Sequence, residues 1–520
     1  MMELRKAFQL SVCLMLILVE ARNSKSREHQ GPPHIIFIVA DDLGWDDVSL
    51  HGSSQILTPN IDRLAQEGVT LTNYYVSPIC TPTRSAIMTG RHPIHTGMQH
   101  DTIAADEPWG LGLDEKTIAQ HLKSLGYSTH AVGKWHLGYY AEEYIPTKRG
   151  FDSFFGYYNG RGDYFTHEDN KAGCAGYDLH KNGEVYWSAF GQYSTEIFTR
   201  EAQQIIMDHN ASQPLFLYLA HQAVHAGVYG AHLLEAPYKY YQRFPHIKSE
   251  GRRKYAAMVA GLDDSVGNIS KTLRDTGLYD NSIIVFTTDN GGPTNGYDGN
   301  HASNWPLRGC KHTLWEGGVR GTAFVNSPLI ERPRRFSDRL MHVCDWLPTL
   351  YGAAGGDPKD LVNLDGYDQW DALSMNANSP RIEVLHNIEP IFNYSAIRIG
   401  DYKLHYGAFS SRFSGWYPPE GENWNETERV PNAFVVNCPP KPENASTNCD
   451  YENNEPCLYN IREDPCEYNN IAEWNQAVVQ IMTLRLEQLR QSAVDPRNQP
   501  GDPRSNPKEH GNAWVPWVEL

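Results

Sequence analysis

The chain is 520 residues long and carries a formal net charge of −17. That length exceeds one ordinary core and implies a large domain plus a smaller one. The negative charge argues against nucleic acid and anionic membranes as partners.

In chain order, Arg5 and Lys6 precede an apolar run from Ala7 to Val19, and Val19-Glu20-Ala21 offers small residues for cleavage. This pattern predicts a signal peptide over 1–21. It fits a membrane anchor less well, since a spanning helix needs about 20 apolar residues and this run has about 13. No later stretch is long enough to span, so the expectation is a secretory protein without a membrane anchor, lysosomal or secreted. Asn210, Asn268, Asn393, Asn425 and Asn444 each open an Asn-x-Ser/Thr sequon, which fits that route. Of nine cysteines, Cys13 leaves with the signal peptide. Cys438, Cys449, Cys457 and Cys466 crowd one loop-rich segment and predict local disulfides. Setting Cys80 aside, Cys174, Cys310 and Cys344 remain, an odd number that leaves at least one free.

His34–Ala40 is a continuous apolar run of the kind buried in a parallel sheet, and it ends at Asp41-Asp42. Residues 58–68 and 113–125 read as helices, and 129–132 as a strand ending at Gly133-Lys134-Trp135-His136. Residues 195–209 read as a helix, and 214–220 as a strand that runs out to His225. Residues 254–277 form a long helix, and 282–288 a strand ending at Asp289-Asn290. Strands alternate with helices, so the expectation is α/β: a large, mostly parallel sheet with helices on both faces. Beyond Pro380, strands at 381–385, 396–399 and 402–405 and a helix at 473–491 predict a small antiparallel sheet with a packed helix. In open α/β sheets ligands bind outside the carboxyl ends of the strands. Asp41, Asp42, Lys134, His136, His225, Asp289 and Asn290 should therefore meet on one rim. Turn residues after strands would explain any one of these ends, but not readily all four.

Cys80-Thr81-Pro82-Thr83-Arg84 opens another predicted helix, with Thr81 or Thr83 as cap and Gly90 as stop. A cysteine at a helix N-terminus favours thiol or oxyanion chemistry. A buried cysteine with a surface arginine is the plain alternative. The oxygen side chains of Asp41, Asp42, Asp289 and Asn290 suit a hard cation such as Ca²⁺ or Mg²⁺ and fit zinc poorly.

Cys80-x-Pro82-x-Arg84, followed by Thr89-Gly90-Arg91, resembles the signature of the type I sulfatases. The resemblance runs from about His34 into the C-terminal region, and it is similar in particular to the arylsulfatase B group. It implies an alkaline-phosphatase-like fold, with a catalytic domain over 30–380 and a smaller C-terminal α+β domain over 381–520. It also implies that a formylglycine-generating enzyme converts Cys80 to Cα-formylglycine, whose hydrate is the nucleophile. Asp41, Asp42, Asp289 and Asn290 would surround one Ca²⁺, with an oxygen of the hydrate derived from Cys80 completing the site. Gly133-Lys134-Trp135-His136 and Trp305-Pro306-Leu307-Arg308-Gly309-Cys310-Lys311 match motifs that grip sulfate, which places Lys134, His225 and Lys311 on the substrate. By the same resemblance His225 with Lys311 protonates the leaving alcohol. His136 removes the proton that expels sulfate from the sulfated diol, and Arg84 holds the diol.

The implied activity is hydrolysis of a sulfate ester, N-acetylgalactosamine 4-sulfate or a related sugar sulfate. A small-molecule sulfate such as a glucosinolate or an aryl sulfate is the alternative. Two departures bear on substrate. The Glu-Pro that often follows the histidine at position 225 is replaced by Ala226-Gly227, and the cysteines often found after the nucleophile helix are absent from 101–113. The Pro/Tyr-rich loop over 226–245 is expected to line the pocket mouth. A two-zinc phosphatase or phosphodiesterase would need several metal-spaced histidines and would leave the Cys80 motif unexplained. A non-catalytic glycan-binding relative would have lost the nucleophile or the metal ligands, and none is lost.

Overall fold

The computed structural model describes residues 31–520 apart from 172, 231 and 422–429. The expected signal peptide, Cys13 and the sequon at Asn425 lie outside the described residues. His34–Ala40 is in the middle of a ten-stranded sheet. It pairs in parallel with Ser282–Thr288 on one side and Leu215–Ala220 on the other. Ser128–Lys134 and then Ser153–Tyr157 continue the parallel run. His34–Ala40 and Leu215–Ala220 are almost wholly apolar and fully buried because helices cover both faces. Ile36, Ile38 and Ala40 pack into one core with the Ser194–Asp208 and Glu250–Asp275 helices. Ile35, Phe37 and Val39 pack into the other with Cys80–Thr89 and Trp346–Ala353. Towards the edges the sheet becomes mixed: Ala323–Asn326 runs antiparallel to Ser282–Thr288, and His180–Lys181 antiparallel to Ser153–Tyr157.

Three details correct the sequence expectations. The helix expected over 113–125 is only Ile118–Ser124, because Thr117 and Gln120 form a reciprocal capping box that fixes its start. The long helix begins at Glu250, ahead of the expected Lys254, because Ser249 Oγ accepts from Arg252 N. The Cys80–Thr89 helix uses neither threonine as cap; its N-cap is Ile79. Thr83 Oγ1 instead accepts from Ser77 N, and Thr81 Oγ1 donates to the His136 carbonyl. Gly90 does end this helix, in the left-handed region at φ 65°.

Glu383–Glu389, Tyr394–Ile399, Tyr402–Tyr406 and Cys457–Asn460 make a separate four-stranded antiparallel sheet. The last of these was not expected from the sequence. The Gln476–Ser492 helix covers this sheet through Met482 and Leu486. Disulfides join Cys438 to Cys466 and Cys449 to Cys457, while Cys174, Cys310 and Cys344 are free. The chain then returns to the large-sheet part: Trp514 is buried in its core and bonds Tyr177, and Val518 bridges Ala141. Among the described residues no helix is long and apolar enough to cross a membrane.

The two sheets are tied by a buried ionic hub. Lys403, on the small sheet, contacts Glu316 at 3.0 Å and Glu467 at 2.9 Å, with all three side chains fully buried. Tyr75 OH donates to Glu316 at 2.8 Å from the large part. Removing one member of such a group leaves uncompensated buried charge. Lys403→Ala is therefore expected to destabilise the protein by about 3–5 kcal/mol. Thermal melting checks this, and an unchanged midpoint would contradict it.

Candidate active site

The carboxyl ends of the parallel strands bring their polar residues together. Asp41 and Asp42 follow His34–Ala40, and Lys134 ends its strand with His136 two residues on. His225 follows Leu215–Ala220, and Asp289 and Asn290 follow Ser282–Thr288. Lys134 can end where it does because Gly133 has no side chain: a Cβ there would stand 1.9 Å from the Ala220 carbonyl. Cys80 is the first residue of its helix and is buried. Cys80, His136, His225 and Lys311 share a cleft of about 460 Å³. A larger hollow of about 570 Å³, between the Pro59–Glu67 and Glu250–Asp275 helices, contains none of the expected site residues.

Beneath the cleft lies a set of buried charge pairs, of whose members Lys311 and Asp298 line the cleft itself. Lys134 Nζ contacts Asp41 Oδ2 at 2.6 Å. Arg84 donates twice to Asp289 Oδ2, at 2.7 and 3.1 Å, and its guanidinium is 3.5 Å from Asp41. Lys311 contacts Asp42 at 2.8 Å and Asp298 at 3.1 Å, with His225 Nε2 at 3.2 Å. Burial raises the Asp42 and Asp289 carboxyls, partly offset by Lys311 and Arg84 respectively. Burial alone would lower Lys311 and Arg84, but their carboxylate partners hold both well above the ordinary range. Burial, reinforced by Asp289, pushes the Cys80 thiol well up. An unmodified Cys80 is thus a poor thiolate nucleophile.

Four ligand atoms, from Asp41, Asp42, Cys80 and His225, lie within 4.8 Å of one another. Asp289 is outside that tight group and accepts from Asp42 N at 3.3 Å. Asn290 donates through Nδ2 to Asp42 Oδ1 at 2.8 Å, while its buried Oδ1 has no partner. An orphaned oxygen beside three carboxylates is a donor set that fits a hard cation.

The two histidines are set differently. His136 Nε2 is 3.0 Å from the Ile103 carbonyl, which makes Nε2 the donor and leaves the buried Nδ1 with a free lone pair. His225 Nδ1 is 2.6 Å from the Ala226 carbonyl, so Nε2 accepts from Lys311. Burial, then neighbouring lysines, hold both imidazoles well below the usual histidine range. Asp42, His136, Asp298 and His312 all adopt left-handed φ, from 54° to 73°. Such backbone is costly for non-glycine residues and collects at functional sites.

None of the described residues of the loop over 226–245 lines the cleft, which corrects the sequence expectation. Its described residues pack elsewhere: Tyr229 OH donates to Glu168, and Tyr240 and Phe244 join the core beside the Glu250–Asp275 helix. The mouth is instead built from 101–105, 160–161, 169–171, Tyr297-Asp298 and His312, with Phe392 and Phe409 reaching in from the small-sheet part. Of these, only 101–105 falls in a stretch the sequence had marked, as the place of the missing cysteines. Tyr297-Asp298 falls between two stretches that were marked, and only the turn-forming glycines around it hinted at a tight loop.

Comparison with known proteins agrees with this geometry. The family model described as Sulfatase matches residues 33–356. Arylsulfatase J of Mus musculus is 42% identical over 527 residues, covering 96% of this chain and 83% of that protein. N-acetylgalactosamine-6-sulfatase of Homo sapiens is 30% identical over 414 residues, covering 74% of this chain and 73% of that protein. The crystal structure of Ps i-CgsB is similar with a TM-score of 0.74 and 29% identity, covering 90% of this chain and 94% of that one. The chain belongs to the sulfatase family and is a sulfuric ester hydrolase.

Proposed function

We propose that the enzyme hydrolyses a sulfate ester of a sugar in the cleft above Cys80, using a formylglycine made from that cysteine and a bound Ca²⁺. The carrying observation is Cys80 itself: a buried thiol at the start of a helix, raised out of the reactive range, in a cleft it shares with His136, His225 and Lys311. Modification by a formylglycine-generating enzyme, met in the secretory pathway on the way to the lysosome or outside, gives that position a purpose. Its hydrate supplies the attacking hydroxyl. Asp41, Asp42, Asp289 and Asn290 would hold the ion, which supplies Lewis-acid polarisation of a sulfate oxygen. The names of two relatives, N-acetylgalactosamine-6-sulfatase and arylsulfatase J, support a sulfated amino sugar or a related sulfate ester as substrate.

The chain's own groups divide the remaining work. Lys134 and Lys311 face the sulfuryl oxygens, where negative charge spreads as the S–O bond breaks. Lys311, with His225 Nε2 at 3.2 Å, supplies the proton to the leaving alcohol. His136, with Nδ1 unpartnered, takes the proton whose removal releases sulfate. Arg84 is locked by Asp289 and Asp41 beneath the nucleophile and keeps it in place. Residues 30–380 carry the chemistry, and 381–520 lend Phe392 and Phe409 to the cleft wall.

Two outcomes follow. Cys80→Ala should release no sulfate from any ester while its melting temperature stays near that of the parent, because one buried sulfur is the whole change. Residual turnover at more than trace level would remove Cys80 from the mechanism. His225→Ala should lower kcat/KM on a sugar sulfate by about 10²–10⁴-fold and on an aryl sulfate by much less, since a phenolate leaves with little help. Equal losses on both would mean that His225 is not part of the leaving-group acid.

A further inference from the structure

We infer that Asp298 is a positioning and specificity residue: one carboxylate oxygen holds Lys311, and the other reads a free hydroxyl on the sugar carbon beside the sulfate ester. The inference rests on the sulfated-sugar reading above.

Three observations carry it. First, Asp298 lines the cleft, and its Oδ2 meets Lys311 Nζ at 3.1 Å from the mouth side while Asp42 meets it at 2.8 Å from the floor. The ammonium is clamped from both sides, which directs its third proton to His225 Nε2 at 3.2 Å. Second, Asp298 Oδ1 has no hydrogen-bond partner among the described residues, and the side chain is about one-third exposed, at 32%. An oxygen left open in a substrate cleft is a ready acceptor for a hydroxyl. Third, the residue is held there. Its φ is 54°, and it sits in a short turn between Gly296 and Gly299, both also left-handed. The preceding Tyr297 fixes the turn: its OH is 2.8 Å from His312 Nδ1, and its ring meets Phe413 edge-on at 4.8 Å. Burial would raise the Asp298 carboxyl, but Lys311 and His225 hold it down at about 2, so it stays a carboxylate.

A fixed carboxylate at this place selects as well as positions. A neighbouring hydroxyl donates to it. A neighbouring sulfate meets like charge and is turned away, which is discrimination by repulsion. The substrate class is therefore a ring with one sulfate and a free hydroxyl on the adjacent carbon, in preference to a ring sulfated on both.

The test uses the full-length enzyme, as wild type and Asp298→Asn. Three probes are compared: an aryl sulfate, a hexosamine monosulfate with a free adjacent hydroxyl, and the same sugar sulfated at both positions. The amide keeps shape and a hydrogen-bonding oxygen but loses the charge. Wild type should prefer the monosulfate, and Asp298→Asn should shrink that preference by at least about tenfold, the scale of a lost charge contact. Inorganic sulfate should also inhibit the variant more strongly, because Lys311 is less neutralised. A preference that does not change, or an equal loss on all three probes, would overturn the inference and leave Asp298 a structural partner of Lys311. If wild type cleaves only the aryl sulfate, the sugar reading fails first and the inference falls with it. Melting curves on both proteins separate these outcomes from misfolding.

Discussion

The constraint on which the site depends is the neutralisation of buried charge. Asp41, Asp42 and Asp289 are fully buried at the ends of two adjacent parallel strands. Isolated carboxylates there would cost several kcal/mol each. Lys134, Arg84 and Lys311, also buried, lie against them at 2.6–2.8 Å. Each cation arrives from a different element: a strand end, a position one turn into a helix, and a loop. The chain must therefore reach nearly its whole fold before any of these charges is compensated, and the site is coupled to the fold. Lys134, Arg84 and Lys311 stand against Asp41, Asp42, Asp289 and Asp298, so the charges beneath the cleft are matched and no excess of cations there offsets the net charge of −17.

Around that floor the backbone is held in costly conformations. Asp42 and His136 are left-handed, and the framework behind them is stiff. Asp47 accepts from Arg252, Tyr255, Gly44 and Ser303, which ties the loop after His34–Ala40 to the long helix and to the segment leading to Lys311. A ligand set that is to close on an ion and an ester oxygen, as proposed above, would need such support, because small displacements weaken electrostatic stabilisation steeply.

Much of the floor was legible from sequence. Four apolar runs ending in Asp, Asn, Lys or His identify buried parallel strands, and the sheet geometry then gathers their ends without further information. The mouth was not legible. Phe392 and Phe409 come from the small sheet, Arg161 from the loop after Ser153–Tyr157, and Asp298 from a turn, and no local pattern links them. The loop over 226–245 looked like a pocket wall because it follows His225 directly. Tyr240 and Phe244 are instead buried against the Glu250–Asp275 helix, which an aromatic-rich loop satisfies as readily as a substrate wall. Helix ends failed where capping decided them: the Thr117–Gln120 box and Ser249 were visible in the sequence, but apolar periodicity was given more weight.

The central claim is that the group doing the chemistry at position 80 is not a thiol. The direct measurement is peptide mass spectrometry of the segment spanning Cys80, taken from fully active enzyme made in a host that carries the modifying enzyme. The account predicts an aldehyde in place of the thiol, trapped by a carbonyl-specific reagent, in proportion to specific activity across preparations. Full activity with an intact, alkylatable Cys80 thiol would contradict it.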